Sequence, residues 1–272
     1  MRRFGFGLGV SAIPLVMLAF AVAADRRPVA TTAAELLDDA RSADVRNAVI
    51  EANPDRAGAI VAEMAKGIGN DPAEEYRRIP WIWRVAVAAG KRNDAAQLKA
   101  LMEASLPQDG ERLRDWQAVV IGGGVINGIT LAGAWPGPRI EQIIGSDEAL
   151  RRRWKWAIQK SAGLADDESV TRGTRYDALR MIAFLGWDNC GAKLRNYLSR
   201  GTHAELQMGA VSACGDMDDV RAAEALIAAL PGLDARNVRL AVNALKRTAE
   251  RKQMLDEAVA AGRVSAELLN AK

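Results

Sequence analysis

The chain has 272 residues, of which 49% are hydrophobic, only 5% are aromatic and 26% are charged. This composition is typical of a globular, mostly helical protein and excludes a disordered, collagen-like or disulfide-rich chain. A single His and two Cys leave few ligands for a metal or haem and few groups for His-dependent catalysis. We therefore expect neither a bound cofactor nor an enzymatic activity.

The first segment in chain order, residues 1–23, is predicted to be a secretory signal peptide. Arg2 and Arg3 precede an apolar run that ends in Ala-Val-Ala at residues 21–23, a pattern that signal peptidase prefers. We expect cleavage after Ala23 and a periplasmic or secreted protein without a stable membrane anchor. The alternative is an uncleaved anchor, because about 20 apolar residues are enough to cross a bilayer.

Removal of the signal peptide changes the charge balance of the chain. Two of its 37 Lys and Arg residues lie in residues 1–23, so 35 remain against 34 Asp and Glu. Nucleic-acid binding depends on an excess of positive charge that neutralises phosphates. We therefore expect no nucleic-acid partner.

After a predicted linker at residues 24–34, the chain reads as a succession of short helices, and its predicted fold class is all-α. Residues 35–147 are interpreted as irregular helical repeats. Their clearest unit has Val85 and Ala86 on one helix, followed by Leu98 and Met102 on the next. The repeat template fails over residues 106–147, which are rich in Gly and predict a distorted repeat with an inserted loop or a domain boundary.

Residues 148–272 are predicted to form more regular repeats. Similar apolar faces recur on three helices, at Met181 and Ile182, at Ala210 and Val211, and at Ala241 and Val242. A second helix with an apolar pair follows each of them: Leu194/Leu198, Leu226/Leu230 and Leu255/Val259. Because a two-helix unit cannot bury its apolar face alone, neighbouring units should stack into an α-solenoid of HEAT-like, armadillo-type repeats. The alternative is a helical bundle without repeats.

A glycine-rich stretch, residues 118–132, invites comparison with a dinucleotide-binding strand, turn and helix. Gly122 and Gly124 match that pattern, but Asn127 stands where its third Gly belongs and Gly128 comes one residue late. The favoured interpretation is a pair of Gly-rich helices, or a loop, in which backbones pack closely.

A basic and aromatic stretch is the candidate partner surface, since Trp and Arg dominate binding hot spots. Its residues are Arg152, Arg153, Trp154, Lys155 and Trp156. Side chains at positions i and i+2 of a helix point in different directions, so one Trp of the pair should enter the core. The alternative is therefore ordinary core packing with a solvated basic flank.

The two cysteines, Cys190 and Cys214, are candidates for a disulfide. Export to an oxidising compartment favours a bond. The alternative is a pair of free thiols, because Cys214 occupies a position in its repeat where Leu185 and Leu245 stand in the neighbouring units.

Four stretches of the chain, residues 78–94, 113–128, 173–187 and 201–216, resemble the HEAT-repeat region of large secreted planctomycete/verrucomicrobial-type (PVC-type) dehydrogenase–cytochrome c proteins. In that family the helical region joins a propeller-like domain to a haem module. No Cys-x-x-Cys-His sequence occurs in this chain, so the haem ligands of the family have no counterpart. The resemblance implies a stand-alone relative of this region or a piece of a split or truncated gene.

These observations favour an exported, non-catalytic scaffold that binds a partner protein. A second hypothesis, implied by the resemblance, is an accessory or split piece of a periplasmic dehydrogenase or c-type cytochrome electron-transfer assembly. A third is a nucleotide- or flavin-binding enzyme that uses the stretch from Gly122 to Gly128. HEAT-type DNA glycosylases are a fourth possibility, disfavoured by the signal peptide and the low net charge.

Overall fold

The computed structural model describes residues 27–69 and 71–270, and every regular element in these ranges is helical. The fourteen helices are α1 (Val29–Leu37), α2 (Ala43–Glu51), α3 (Ala57–Ala65), α4 (Pro72–Arg92), α5 (Ala95–Ser105), α6 (Asp115–Leu131), α7 (Pro136–Ile144), α8 (Glu148–Asp166), α9 (Arg172–Ile182), α10 (Trp187–Leu198), α11 (Ala204–Asp216), α12 (Val220–Ala229), α13 (Ala235–Leu245) and α14 (Ala249–Ala260). The predicted all-α class is confirmed for this part of the chain.

Aspartates begin many of these helices. The side chains of Asp71, Asp94, Asp147, Asp219 and Asp234 each accept a hydrogen bond from a backbone N–H in the first turn of the helix that follows. Each carboxylate satisfies a donor that lacks a partner within the helix and also interacts favourably with the positive end of the helix dipole. The recurring Asp residues therefore determine where successive helices start.

The helices contact one another in two series. In the first series α4 contacts α6, α6 contacts α9, α9 contacts α11 and α11 contacts α13. In the second, α10 contacts α12 and α12 contacts α14. The predicted pairs α9 with α10, α11 with α12 and α13 with α14 are all present as helices. Their predicted apolar residues, including Ile182, Val211 and Ala241, are buried, apart from Val259, which is half-buried.

The apolar core has two parts that meet along α8. Ala157 and Ile158 belong to the N-terminal cluster, whereas Ala165, near the end of the same helix, belongs to the C-terminal cluster. Helix α9 also contributes to both, with Met181 in the first cluster and Ile182 in the second. The predicted division at residue 147 therefore falls before the helices that join the two halves of the core.

Helix α6 occupies the region where the repeat template fails. Its middle section, Val119–Ile126, is a π-helix, and every residue in that section is buried. Gly90 of α4 meets Gly124 and Gly128 of α6 so closely that a Cβ on Gly128 would lie 2.3 Å from the Cα of Gly90. Only glycine leaves room for this backbone contact, so the favoured interpretation of closely packed backbones is confirmed.

The described residues include only part of the predicted N-terminal segments. The predicted signal peptide, residues 1–23, and residues 24–26 lie outside the described residues. The predicted linker at 24–34 is wrong from Val29 onward, because α1 begins there and buries Thr32 and Ala33. Among the described residues no single helix is long and apolar enough to cross a membrane, and only α6 with α7, bent by 111°, passes such a test as a pair.

Candidate functional site

A cleft of about 680 Å³ opens along the first series of helices. We call it the central cleft; α6, α9, α11 and α13 contribute its lining, which includes Arg180, Asp216, Arg236, Arg239 and Arg247. Its size lies within the range of ordinary ligand-binding sites. Four helices of the first series line the cleft, so it is formed by the packing of that series.

The floor of the central cleft is a buried ion pair. The Arg180 guanidinium donates to Asp216 Oδ2 through Nη2 at 2.7 Å and through Nε at 3.0 Å, and the two side chains are only 3% and 1% exposed. Arg180 Nη1 also donates to Asn127 Oδ1 at 2.6 Å, and the Thr130 hydroxyl donates to Asp216 Oδ1 at 2.6 Å. A buried ion pair needs such additional hydrogen bonds to offset its desolvation. The network fixes α6, α9 and α11 relative to one another.

Arg247 belongs to the lining of the central cleft and is held in place by several contacts. Its guanidinium donates to the carbonyl oxygen of Ala134 at 2.6 Å and to that of Gly215 at 3.2 Å. It also stacks over the ring of Trp135, 3.8 Å from the centroid. A cation over an indole face is attracted by the ring quadrupole. Arg247 thereby joins the end of α13 to the connection between α6 and α7.

The rim of the central cleft combines cationic and apolar side chains. Arg236 and Arg239 are both exposed on α13. Leu131 is 56% exposed, while Met208 and Leu240 are half-buried. Such a lining can form charge-assisted hydrogen bonds to an anionic group and bury apolar groups next to it.

The sequence did not reveal this site. Arg180 and Asp216 lie 36 residues apart on different helices, so only the packing of α9 against α11 brings them together. The available signal was a charged residue within a run of apolar ones: Arg180 stands between Leu179 and Met181, which are both buried.

Two members of the predicted partner surface, Trp154 and Arg153, contact other parts of the fold. Trp154 is 5% exposed and packs edge to face against Phe184 with ring centroids 5.3 Å apart. Arg153 donates to the carbonyl oxygens of Leu106, Glu103 and Pro107, the last two at 2.9 and 3.3 Å. The prediction of a surface is wrong for Trp154, because the core encloses it, whereas Arg153 is half-buried against the end of α5 and the segment that follows.

The other members of that stretch lie nearer to solvent. Trp156 is half-buried and donates from Nε1 to the Glu111 carbonyl oxygen at 2.8 Å. Arg152 is exposed and lies 3.6 Å from Asp109, and Lys155 is exposed. Only one Trp of the pair enters the core, as the helical geometry predicted.

Cys190 and Cys214 are free thiols in the structure, and both are buried. Burial raises the pKa of the Cys190 thiol to about 11 and raises the pKa of the Cys214 thiol further. Thiols of this kind are poor nucleophiles, because the thiolate is the reactive form. The structure therefore matches the alternative of two buried thiols and contains no disulfide between them.

The glycine-rich stretch does not have the geometry of a dinucleotide site. Gly122 and Gly124 lie within the continuous helix α6, with no strand or tight turn before them. A Cβ on Gly122 would lie 2.3 Å from the carbonyl oxygen of Asp177. The dinucleotide interpretation is wrong for this segment, because its glycines face neighbouring helices and leave no space for a phosphate.

Asp177 is a buried carboxyl group that the sequence interpretation missed. It is 5% exposed, and its Oδ1 atom has no hydrogen-bond partner. Burial raises its pKa well above the ordinary value, an effect that Arg180 opposes and Glu205 reinforces. The carboxyl faces the backbone of α6, where a Cβ on Gly123 would lie 2.8 Å from Oδ1. Burial therefore favours the protonated form of Asp177 more strongly in the folded protein than in the unfolded chain.

The single histidine caps a helix. His203 Nδ1 accepts a hydrogen bond from the backbone N–H of Glu205 at 3.3 Å, at the start of α11. Within residues 27–69 and 71–270, no group of three or more His, Cys, Asp or Glu side chains is arranged to hold a metal ion.

Comparisons with known proteins give no relative for this chain: no family model, no curated protein and no solved structure matches it.

Proposed function

We propose that this protein is an exported, non-catalytic HEAT-like scaffold that binds a partner protein in its central cleft. The order of helix contacts supports a solenoid, because α9, α11 and α13 contact one another in succession and α10, α12 and α14 do the same. Stacked helix pairs of this kind present extended concave surfaces to their partners. The proposal of export rests on the predicted signal peptide.

One observation carries the proposal: a single cleft draws its lining from four helices of one series. Its floor is a buried ion pair, and Arg247 in its lining donates to a backbone carbonyl oxygen, so these side chains are ordered before a partner binds. A preformed site loses less conformational entropy on binding. A site that spans successive units suits an extended protein segment.

The chemistry of the described residues is consistent with binding. Arg180 and Asp216 are held by each other, and the thiols of Cys190 and Cys214 are buried with raised pKa values. The resemblance to PVC-type proteins makes a periplasmic dehydrogenase or a c-type cytochrome the first partner to test.

A capture experiment with matched variants tests the proposal. Tagged wild-type protein and the pair Arg236→Glu with Arg239→Glu are recovered from the native host, and the co-purifying proteins are quantified by mass spectrometry. The control is Arg152→Glu with Lys155→Glu, which changes the net charge equally on α8, away from the cleft. We expect a partner that is retained by the control and lost by the cleft variant. Loss from the control alone would place the binding surface on α8 and contradict the proposal.

A further inference from the structure

A carboxyl group lies buried without a full set of partners where α4, α6 and α9 meet. Asp177, on α9, is 5% exposed, and its Oδ1 atom is one of two buried side-chain polar atoms of the described chain that have no hydrogen-bond partner. A buried polar atom that makes no hydrogen bond costs free energy of folding. Asp177 therefore destabilises the packed junction instead of supporting it.

The carboxyl group faces a part of α6 that has no side chain. A Cβ placed on Gly123 would lie 2.8 Å from Asp177 Oδ1 and 2.9 Å from both Cδ1 and Nε1 of Trp83, on α4. The carboxyl and the edge of the indole thus lie next to each other over the same glycine. Gly123 belongs to the π-helical section Val119–Ile126, a rare conformation in which glycine also lowers the cost of a backbone change.

Trp83 is the part of this junction that is free to move. Its side chain is 39% exposed, whereas Trp81, two residues earlier, is 8% exposed and lies under the guanidinium groups of Arg46 and Arg84. Exposed side chains change rotamer rapidly without opening a core. A displacement of Trp83 would let water reach the Asp177 carboxyl.

Two charged groups act on Asp177 in opposite directions. Arg180, on the same helix, favours the ionised carboxylate, and Glu205, on α11, disfavours it. No other charged group of the described residues shifts the pKa of Asp177, since α4 presents a neutral indole and α6 presents glycine backbone. Burial has the largest influence and opposes ionisation. The carboxylate is therefore favoured when it leaves the junction for water.

We propose that Asp177 and Trp83 form a pH-sensitive contact that opens when the Asp177 carboxyl loses its proton to solvent. In the protonated form the carboxyl stays packed against Gly123. In the ionised form it turns toward water, displaces Trp83 and loosens the contact between α6 and α9. Both helices also line the central cleft, so the packing beneath the cleft depends on pH whether or not a partner protein is bound.

Tryptophan fluorescence of the purified protein, recorded from about pH 4 to about pH 9, tests the proposal. The difference between wild type and Trp83→Phe gives the contribution of Trp83. We expect its emission to shift to longer wavelength with a single midpoint as the pH rises, while circular dichroism shows a constant helix content. Asp177→Asn keeps the shape of the side chain but cannot ionise, so it should show no such shift.

Two further variants assign the titrating group. Glu205→Gln should move the midpoint to lower pH, because a negative charge that opposes the ionisation of Asp177 is removed. His203→Asn removes the single histidine and keeps a capping side chain at the start of α11. It should leave the shift unchanged, and loss of the shift in this variant would assign it to the histidine and overturn the proposal.

Hydrogen exchange measures the opening of the helix contact. Exchange at residues 119–126 should rise in wild type relative to Asp177→Asn at the same pH, across the midpoint seen by fluorescence. Equal exchange in the two proteins would overturn the opening of the contact. The absence of a fluorescence shift, a shift that remains in Asp177→Asn, or a shift that accompanies loss of helix content would overturn the proposal as a whole.

Discussion

The Arg247 guanidinium donates a 2.6 Å hydrogen bond to the carbonyl oxygen of Ala134, although the two residues lie 113 positions apart in sequence. Trp135, directly after Ala134, stacks beneath the same guanidinium. One side chain just after α13 therefore holds the connection between α6 and α7 next to the central cleft.

Replacing Arg247 by Ala should loosen this connection. We expect the free energy of unfolding to fall by about 1–3 kcal/mol, because a charge-assisted hydrogen bond and a cation–π contact are lost. Hydrogen exchange should rise at residues 132–136. The control is Lys246→Ala, an exposed neighbour, which should change neither quantity. Equal exchange in the two variants would show that Arg247 does not hold the connection.

The contact between α4 and α6 gives a prediction about glycine. In Gly128→Ala the added methyl group would meet the backbone of Gly90, so we expect a loss of about 1–3 kcal/mol from overpacking. Gly163→Ala, in α8, is the matched control, because nothing lies within 4 Å of its added Cβ. It should be neutral or stabilise the protein by up to about 1 kcal/mol. Urea denaturation measures the free energy of unfolding of both variants. Similar changes in the two variants would contradict the close contact between Gly128 and Gly90.

Helix α6 also shows which part of the fold could not be predicted from the sequence. The helices from α9 to α14 were predictable, because apolar residues such as Ile182 and Val211 recur at helical spacing. Helix α6 was not predictable, since Gly122 and Gly124 have low helix propensity and predict a turn. Packing against Gly90 and Asp177 favours the helix there, and a single sequence does not contain that information.

The functional residues could also be predicted only in part from the sequence. That one Trp of the stretch from Arg152 to Trp156 would be buried followed from helix geometry. The residues that form the cleft could not be predicted in this way, because Arg180 and Asp216 meet only through the contact of α9 with α11. The candidate surface on α8 was chosen by residue type, and α5 and the segment after it supply the acceptors that hold Arg153.

Asp177 predicts a pH dependence of stability. Burial raises its pKa well above the ordinary 3.8, so at pH values between the unfolded and folded pKa the folded state holds a proton that the unfolded state releases. The free energy of unfolding contributed by this group then falls as the pH rises through that interval. Asp177→Asn cannot ionise, so its stability relative to wild type should increase with pH.

Urea denaturation at several pH values from mildly acidic to neutral measures this effect. Gln159→Asn, at an exposed position on α8, changes no ionisable group and is the control, whose stability should run parallel to that of wild type. A constant difference between Asp177→Asn and wild type would show that Asp177 is ionised in the folded protein.

The cysteines give a chemical test of the fold. Because Cys190 and Cys214 are buried free thiols, the native protein should react slowly with a maleimide, and both residues should label after denaturation without a reductant. The labelling should use this protein after export to an oxidising compartment. Labelling that requires a reductant would reveal a disulfide and contradict the separate thiols.

The central claim is that a partner protein occupies the cleft formed by α6, α9, α11 and α13. Site-specific photo-crosslinking in the native host tests it most directly, with the probe at Asn243, which is exposed in the cleft lining. The control probe is at Gln253 on α14, which is exposed outside that lining. We predict one defined adduct with a partner protein from Asn243 and none from Gln253. The same adduct from both probes, or an adduct from Gln253 alone, would contradict the account.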